Sequence, residues 1–182
     1  MYKKKQVGFT LLEAMITVAI MGIILAFAVP SYQALLERNQ LKQVVEGLKS
    51  DMQFARTQAF KKSQSVVVSR KAGNLGDWCY GLAITSSSKT NCDCKVSDEA
   101  ASKYCDIKRV MGDVYTKTNL EVATVLNNTF NSRRGTINAG GTTFSSTHYV
   151  ARIVFSDVGR VRICTPTPLP SGKTELLSQL NC

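Results

Sequence analysis

The chain opens with one long apolar block and closes in short alternating runs. From residue 9 to residue 29 only one side chain is strongly polar, Glu13. As a helix rising 1.5 Å per residue, this block spans about 31 Å, the thickness of a bilayer's hydrocarbon core. Past Pro30 the pattern becomes periodic. Leu41, Val44, Val45, Leu48, Met52, Ala55 and Ala59 recur at spacings of three and four, which makes one stripe of an amphipathic helix. Lys42, Glu46, Lys49 and Asp51 are expected on other faces. Together the two stretches predict one helix over residues 9–62. Pro30 should kink it by removing a backbone donor, and Gly22 should weaken it. Its first half suits a membrane, and its second half offers the stripe to a globular head.

Beyond Lys62 the period changes to that of strands. Runs rich in β-branched residues predict strands over 65–69, 78–84, 107–111, 121–126, 149–155 and 160–164. The last two flank Ser156-Asp157-Val158-Gly159, where Gly159 suits positive φ, so they predict a hairpin. Residues 85–91 and 138–147 are rich in Ser, Thr and Gly and read as loops. Pro166, Pro168 and Pro170 exclude a central strand. They predict an extended surface tail whose last residue, Cys182, needs an anchor. The expected class is α+β, a long helix packed on an antiparallel sheet.

Length and composition add bounds. At 182 residues, 44% hydrophobic and 20% charged, the chain suits one domain of ordinary size with a real core. The net charge is +10. Lys3, Lys4 and Lys5 contribute three of those charges just before the apolar block, which by the positive-inside rule keeps that end cytoplasmic. Much of the remaining excess lies after residue 107. A basic surface of this kind suits nucleic acid, anionic lipid or an acidic protein patch; a plain solvated face is the other reading.

The six cysteines are an even number in a chain that leaves the cytoplasm, which favours disulfides. Fifteen connectivities are open. Anchoring the tail predicts Cys164–Cys182, leaving Cys79, Cys92, Cys94 and Cys105 to pair within the middle region. Cys92-x-Cys94 lacks the gap of a zinc knuckle and His148 is the only histidine, so no metal site is expected. No cofactor is expected either. His148 has no nucleophile pattern beside it, which speaks against an enzyme. Ser171-Gly172-Lys173-Thr174 is similar to the end of a P-loop, but Thr167 stands where the first glycine is required.

The apolar block is not an ordinary secretory signal, because no small-residue cleavage site follows it. The cut is expected before it, after Gly8. Lys-Lys-x-x-Gly8, then Phe9-Thr-Leu-Leu-Glu13, resembles the prepilin motif of type IV pilins and type II secretion pseudopilins. The resemblance implies a pilin fold, cleavage between Gly8 and Phe9 by a prepilin peptidase, and N-methylation of Phe9. It also implies that Glu13 pairs with the N-terminal amine of a neighbouring subunit. A carboxylate in a membrane segment is costly, which fits a functional role. The implied organisation is a leader (1–8), a membrane or filament-core half-helix (9–30), an amphipathic half-helix (31–62) and a β-rich head (63–182). The implied location is the inner membrane, crossed once, then a cell-surface pilus among other pilins and minor pilins.

Ile153 to Cys164 resembles the C-terminal region of the FimT/FimU/GspH group of minor pilins and pseudopilins. Gly159-Arg160-Val161-Arg162 is similar to a motif of FimT-type pilins that bind DNA during natural transformation. On a strand Arg160 and Arg162 share one face, about 6.7 Å apart, and each guanidinium can fork onto a phosphate. Lys173, Arg152, Arg133 and Arg134 are further candidates. The implied partner is extracellular double-stranded DNA, bound through its backbone. The alternatives are a structural minor pilin for priming or tip assembly, and a type II secretion pseudopilin.

Overall fold

Thr10 starts the helix. Its hydroxyl accepts the backbone N–H of Glu13, three positions on, at 3.3 Å, which makes it the N-cap. α1 then runs over Leu11–Lys62, 52 residues, with Pro30 inside it. The computed structural model describes residues 8–122, 126–176 and 181–182. The chain divides into a first unit ending at Leu36 and a second, Glu37–Cys182. In the first unit the apolar side chains of α1 are exposed, and the helix is long and apolar enough to cross a membrane.

In the second unit the stripe from Leu41 to Ala59 is buried, as its spacing predicts. Asp51 is not on an outer face as expected. It is buried, and its carboxylate accepts the Tyr80 hydroxyl at 2.9 Å and Lys108 Nζ at 2.7 Å. Two directed donors offset the cost of withdrawing a carboxylate from water.

Nine strands follow among the described residues: β1 (Val66–Lys71), β2 (Cys79–Ile84), β3 (Lys108–Met111), β4 (Asn119–Val122), β5 (Asn127–Phe130), β6 (Gly140–Ser145), β7 (Tyr149–Phe155), β8 (Val161–Cys164) and β9 (Thr174–Glu175). One sheet has the order β3-β2-β1-β5. The other has β4-β6-β7-β8, with β9 parallel to β7. α1 and the facing sides of both sheets share one core, which includes Leu48, Val68, Trp78, Phe144, Ile153 and Phe155. Each large apolar side chain withdrawn there contributes about 1.5–3 kcal/mol. Arg70 also enters this core. Its guanidinium donates to Asn128 Oδ1 and lies 5.0 Å from the Phe155 ring centroid, and burial pushes its pKa down to about 10.

The β7–β8 hairpin falls where it was expected, with Gly159 at φ +78. Residues 138–147 are not a loop: β6 occupies most of them and sits inside the second sheet. Thr142, Thr143 and Ser145 are buried there. β-branched threonines suit a pleated interior position even though they read as polar. The strand expected over 121–126 begins earlier, as β4, and residues 123–125 lie outside the described residues. The tail is not wholly surface-lying, since Leu176 is buried and β9 joins the sheet.

Candidate nucleic-acid interface

The register of the second sheet decides where its cations point. Residues opposite one another in an antiparallel ladder share a face. Val154 faces Arg162, and Arg152 faces Cys164. Phe155 faces Val161, and both are buried. Val161 therefore points to the core, while Arg152 and Arg162 share the outer face. Arg160 precedes β8 with the same parity as Arg162, and both are exposed. The Arg152 guanidinium crosses Gly141, where a Cβ would lie 3.1 Å from its Nε.

Arg160, Val161, Arg162, Ile163 and Cys164 line a cleft of about 290 Å³ together with Lys49 of α1 and Asn181 of the tail. β8 is the last strand of its path, so this cleft runs along a sheet edge. Cys164 is bonded to Cys182 (S–S 2.06 Å), which holds Asn181 beside the cleft. Thr165 and Asn181 form a β-bridge, and the Cys182 N–H donates to the Thr165 carbonyl at 2.9 Å.

The turn carrying Arg133 and Arg134 packs against the turn carrying Arg160. A Cβ on Gly159 would lie 2.5 Å from the Gly135 carbonyl oxygen. Both glycines have positive φ, +61 at Gly135 and +78 at Gly159. Only glycine combines that conformation with so close a backbone approach. Asp157 helps fix the pair: its carbonyl accepts the Ile137 N–H at 3.0 Å and its carboxylate the Ala139 N–H at 3.2 Å. Among the described residues, none of Arg133, Arg134, Arg152, Arg160 and Arg162 forms an ion pair with an acidic group.

Lys173 lies elsewhere. It precedes β9, which pairs with Tyr149 and Val150 at the start of β7, whereas Val161 pairs with Phe155 at its end. Six strand steps, about 20 Å, separate those positions. Gly172 (φ +75) and Lys173 form a turn that leads into a strand, so Ser171-Gly172-Lys173-Thr174 lacks the helix a P-loop requires. His148 is exposed in the β6–β7 turn, with its Nδ1 3.0 Å from Glu37 Oε2. The four middle cysteines pair as Cys79–Cys94 and Cys92–Cys105. Lys49 was not singled out from the sequence. Its spacing on the helix marks an outer face, and nothing local says which strand it meets.

A capped apolar helix that continues into the core of a head built on two mainly antiparallel sheets is the architecture of a pilin-like protein. Residues 3–29 match the family described as the prokaryotic N-terminal methylation motif. Residues 44–159 match the family described as Type II transport protein GspH. The chain belongs to this GspH family of pilin-like proteins, which are structural and not enzymes. Arg160 and Arg162 fall just beyond the matched residues. The chain is 30% identical to the type IV major fimbrial protein FimA of Dichelobacter nodosus, over 60% of this chain and 69% of that one. It is 41% identical to a fimbrial protein of Pseudomonas aeruginosa, over 46% of this chain and 52% of that one. Its fold is similar to the crystal structure of the type IV minor pilin FimU of Pseudomonas aeruginosa. The TM-score is 0.51 and the identity 18%, over 71% of this chain and 91% of FimU.

Proposed function

We propose that this protein is a minor pilin of a type IV pilus that binds extracellular double-stranded DNA for uptake. The single observation that carries the reading is the cleft in which Arg160 and Arg162 stand exposed with no acidic partner among the described residues. Cations satisfied by carboxylates would be a solvated surface, whereas unpaired ones can replace the counterions of a phosphate backbone. Arginines that contact phosphate oxygens carry no sequence information directly, so binding is backbone-directed and weakly sequence-specific. Arg152, Arg133 and Arg134 extend the patch, while Lys173 is a separate contact at most.

The N-terminus supplies processing and assembly on this reading. Residues 1–8 are removed after Gly8, Phe9 becomes the methylated N-terminus, and residues 9–30 hold the subunit in the inner membrane with its N-terminus cytoplasmic. Residues 31–62 carry the head, 63–182. Glu13 then pairs with the amine of a neighbour in the filament. Other pilins and a prepilin peptidase are the protein partners.

The test is a salt titration of the full mature chain in detergent micelles, with a fluorescent duplex read by anisotropy. Each phosphate contact contributes about 0.9 to the slope of log K against log salt. Replacing Arg160 and Arg162 together by Gln should lower the slope by about 2 and the affinity at 0.1 M salt by about 60-fold. Unchanged affinity and slope would sink the motif assignment. If the intact chain showed no salt-dependent binding at all, a structural minor pilin would become the leading reading. The fold shared with the minor pilin FimU favours that alternative, and the GspH family match favours a secretion pseudopilin.

A further inference from the structure

The cleft beside β8 has a second wall, and that wall is basic. Lys49 of α1 lines the cleft together with Arg160 and Arg162. Arg56 stands seven residues further along the same helix, two turns or about 10.5 Å, on the same stripe. Its guanidinium reaches the turn that begins the Arg160 motif: a Cβ on Gly159 would lie 3.3 Å from Arg56 Cζ. The Phe60 ring, 6.0 Å from Arg56 Cζ, backs it from the next turn. Neither Lys49 nor Arg56 forms an ion pair among the described residues.

We infer that the nucleic-acid site is the seam between α1 and the β8 edge, with Lys49 and Arg56 as phosphate contacts beside Arg160 and Arg162. This rests on the DNA-binding reading above and assigns two residues that the strand motif does not contain. The spacing suits the ligand. Phosphates of one strand advance 3.4 Å along the duplex axis per nucleotide, so 10.5 Å along α1 covers about three steps. The Arg160–Arg162 spacing along the strand covers about two more. A ligand lying along the seam meets cations from both sides, which a single arginine-bearing strand cannot offer. The helix wall is rigid: Leu48, Met52 and Ala55, on its inward face, are fully buried. The backbone that carries the cations is therefore fixed before the ligand arrives, which leaves only their side chains to be ordered on binding.

The experiment compares Lys49→Gln, Arg56→Gln and Arg56→Lys in the full mature chain, by the same anisotropy titration with labelled duplex DNA. Lys103→Gln serves as the charge control. It removes one positive charge from a separate recess lined by Ser69, Lys71 and Asp93. Lys49→Gln should lower the salt slope by about 1 and the affinity at 0.1 M salt by about eightfold, while Lys103→Gln changes the slope little. Arg56→Gln should do the same, with Arg56→Lys restoring most of the slope. If Lys49→Gln matched Lys103→Gln while the Arg160/Arg162 pair still weakened binding, the seam would be overturned and the DNA reading kept. Weaker binding with an unchanged slope would also overturn it, because a lost phosphate contact must change the slope. No salt-dependent binding by the unaltered chain would remove both together.

Discussion

Replacing Cys164 and Cys182 together by Ser tests how the tail is held. The bond closes a loop with a sequence separation of 18, and that loop does not overlap the two formed by Cys79, Cys92, Cys94 and Cys105. Its contribution is therefore separable from theirs. In the chain-entropy account, closing a loop of this size removes enough freedom from the unfolded chain to be worth about 3 kcal/mol at 25 °C. For a chain of this length each kcal/mol moves the midpoint by about 2–4 °C, so Tm should fall by about 6–12 °C. The assay is thermal unfolding followed by near-ultraviolet circular dichroism, with the other two disulfides verified intact by mass. The tail keeps its non-covalent ties in the variant: the Thr165–Asn181 bridge, the pairing of β9 with β7 and the burial of Leu176. The native fold should survive, and the loss should lie in the reversible midpoint. A Tm within 2 °C of the parent would refute the reasoning, because the unfolded chain would then already be confined without the bond.

Three further outcomes follow from other residues. Burial, with Asp51 beside it, pushes the Tyr80 hydroxyl well above its ordinary pKa of 10. The folded state then holds a proton that the unfolded state releases above pH 10, so this group's stabilisation is complete below pH 10 and is lost as pH rises further. The stability difference between the parent and Tyr80→Phe should be flat up to about pH 10 and then shrink by about 1.4 kcal/mol per unit, measured by urea unfolding. Taking the difference cancels Arg70, whose lowered pKa acts in the opposite sense above pH 10. A difference independent of pH up to 12 would contradict it. At the other end, protein extracted from filaments should have the mass of residues 9–182 plus one methyl group, and Glu13→Ala should leave it in the membrane fraction. Recovery of the unprocessed mass, or normal incorporation of Glu13→Ala into filaments, would count against the processing and assembly roles.

The helix was legible because its period is long and unbroken. Seven apolar positions from Leu41 to Ala59 fall on one face, and the structure buries all of them. The β7–β8 hairpin was legible because two β-branched runs flank a glycine that needs positive φ. β6 was not, because Gly140-Gly141-Thr142-Thr143-Phe144-Ser145 carries one large apolar residue and otherwise the composition of a loop. Its burial comes from neighbours on both sides, which no local window contains. Asp51 failed for a related reason: a carboxylate next to Met52 reads as solvent-facing until Tyr80 and Lys108 are brought to it. At the candidate interface Arg160 and Arg162 were visible as a motif. Lys49 and Arg56 were not, since their meeting with β8 is made by tertiary packing between distant parts of the chain. Lys173 looked close in sequence and is carried away by the direction of the tail.

The two disulfides of the middle region do more than close loops. Cys79, Cys92, Cys94 and Cys105 bury against Val67 and Ala83 on the outer side of the first sheet, apart from the main core. A Cβ on Gly81 would fall 2.2 Å from Cys105 Sγ, so the sulfur lies directly on the sheet backbone. The segment between β2 and β3 is thus riveted to the sheet by sulfur and needs almost no apolar side chains of its own. Between the rivets the segment keeps polar ties to the head, Lys95 to Asp77 at 2.6 Å and Lys71 to Asp93 at 3.8 Å, and Ile107 packs on the core, so its remaining exposed positions are the ones with little duty to the fold. A filament subunit built this way can change the face it shows the outside world without relearning how to fold.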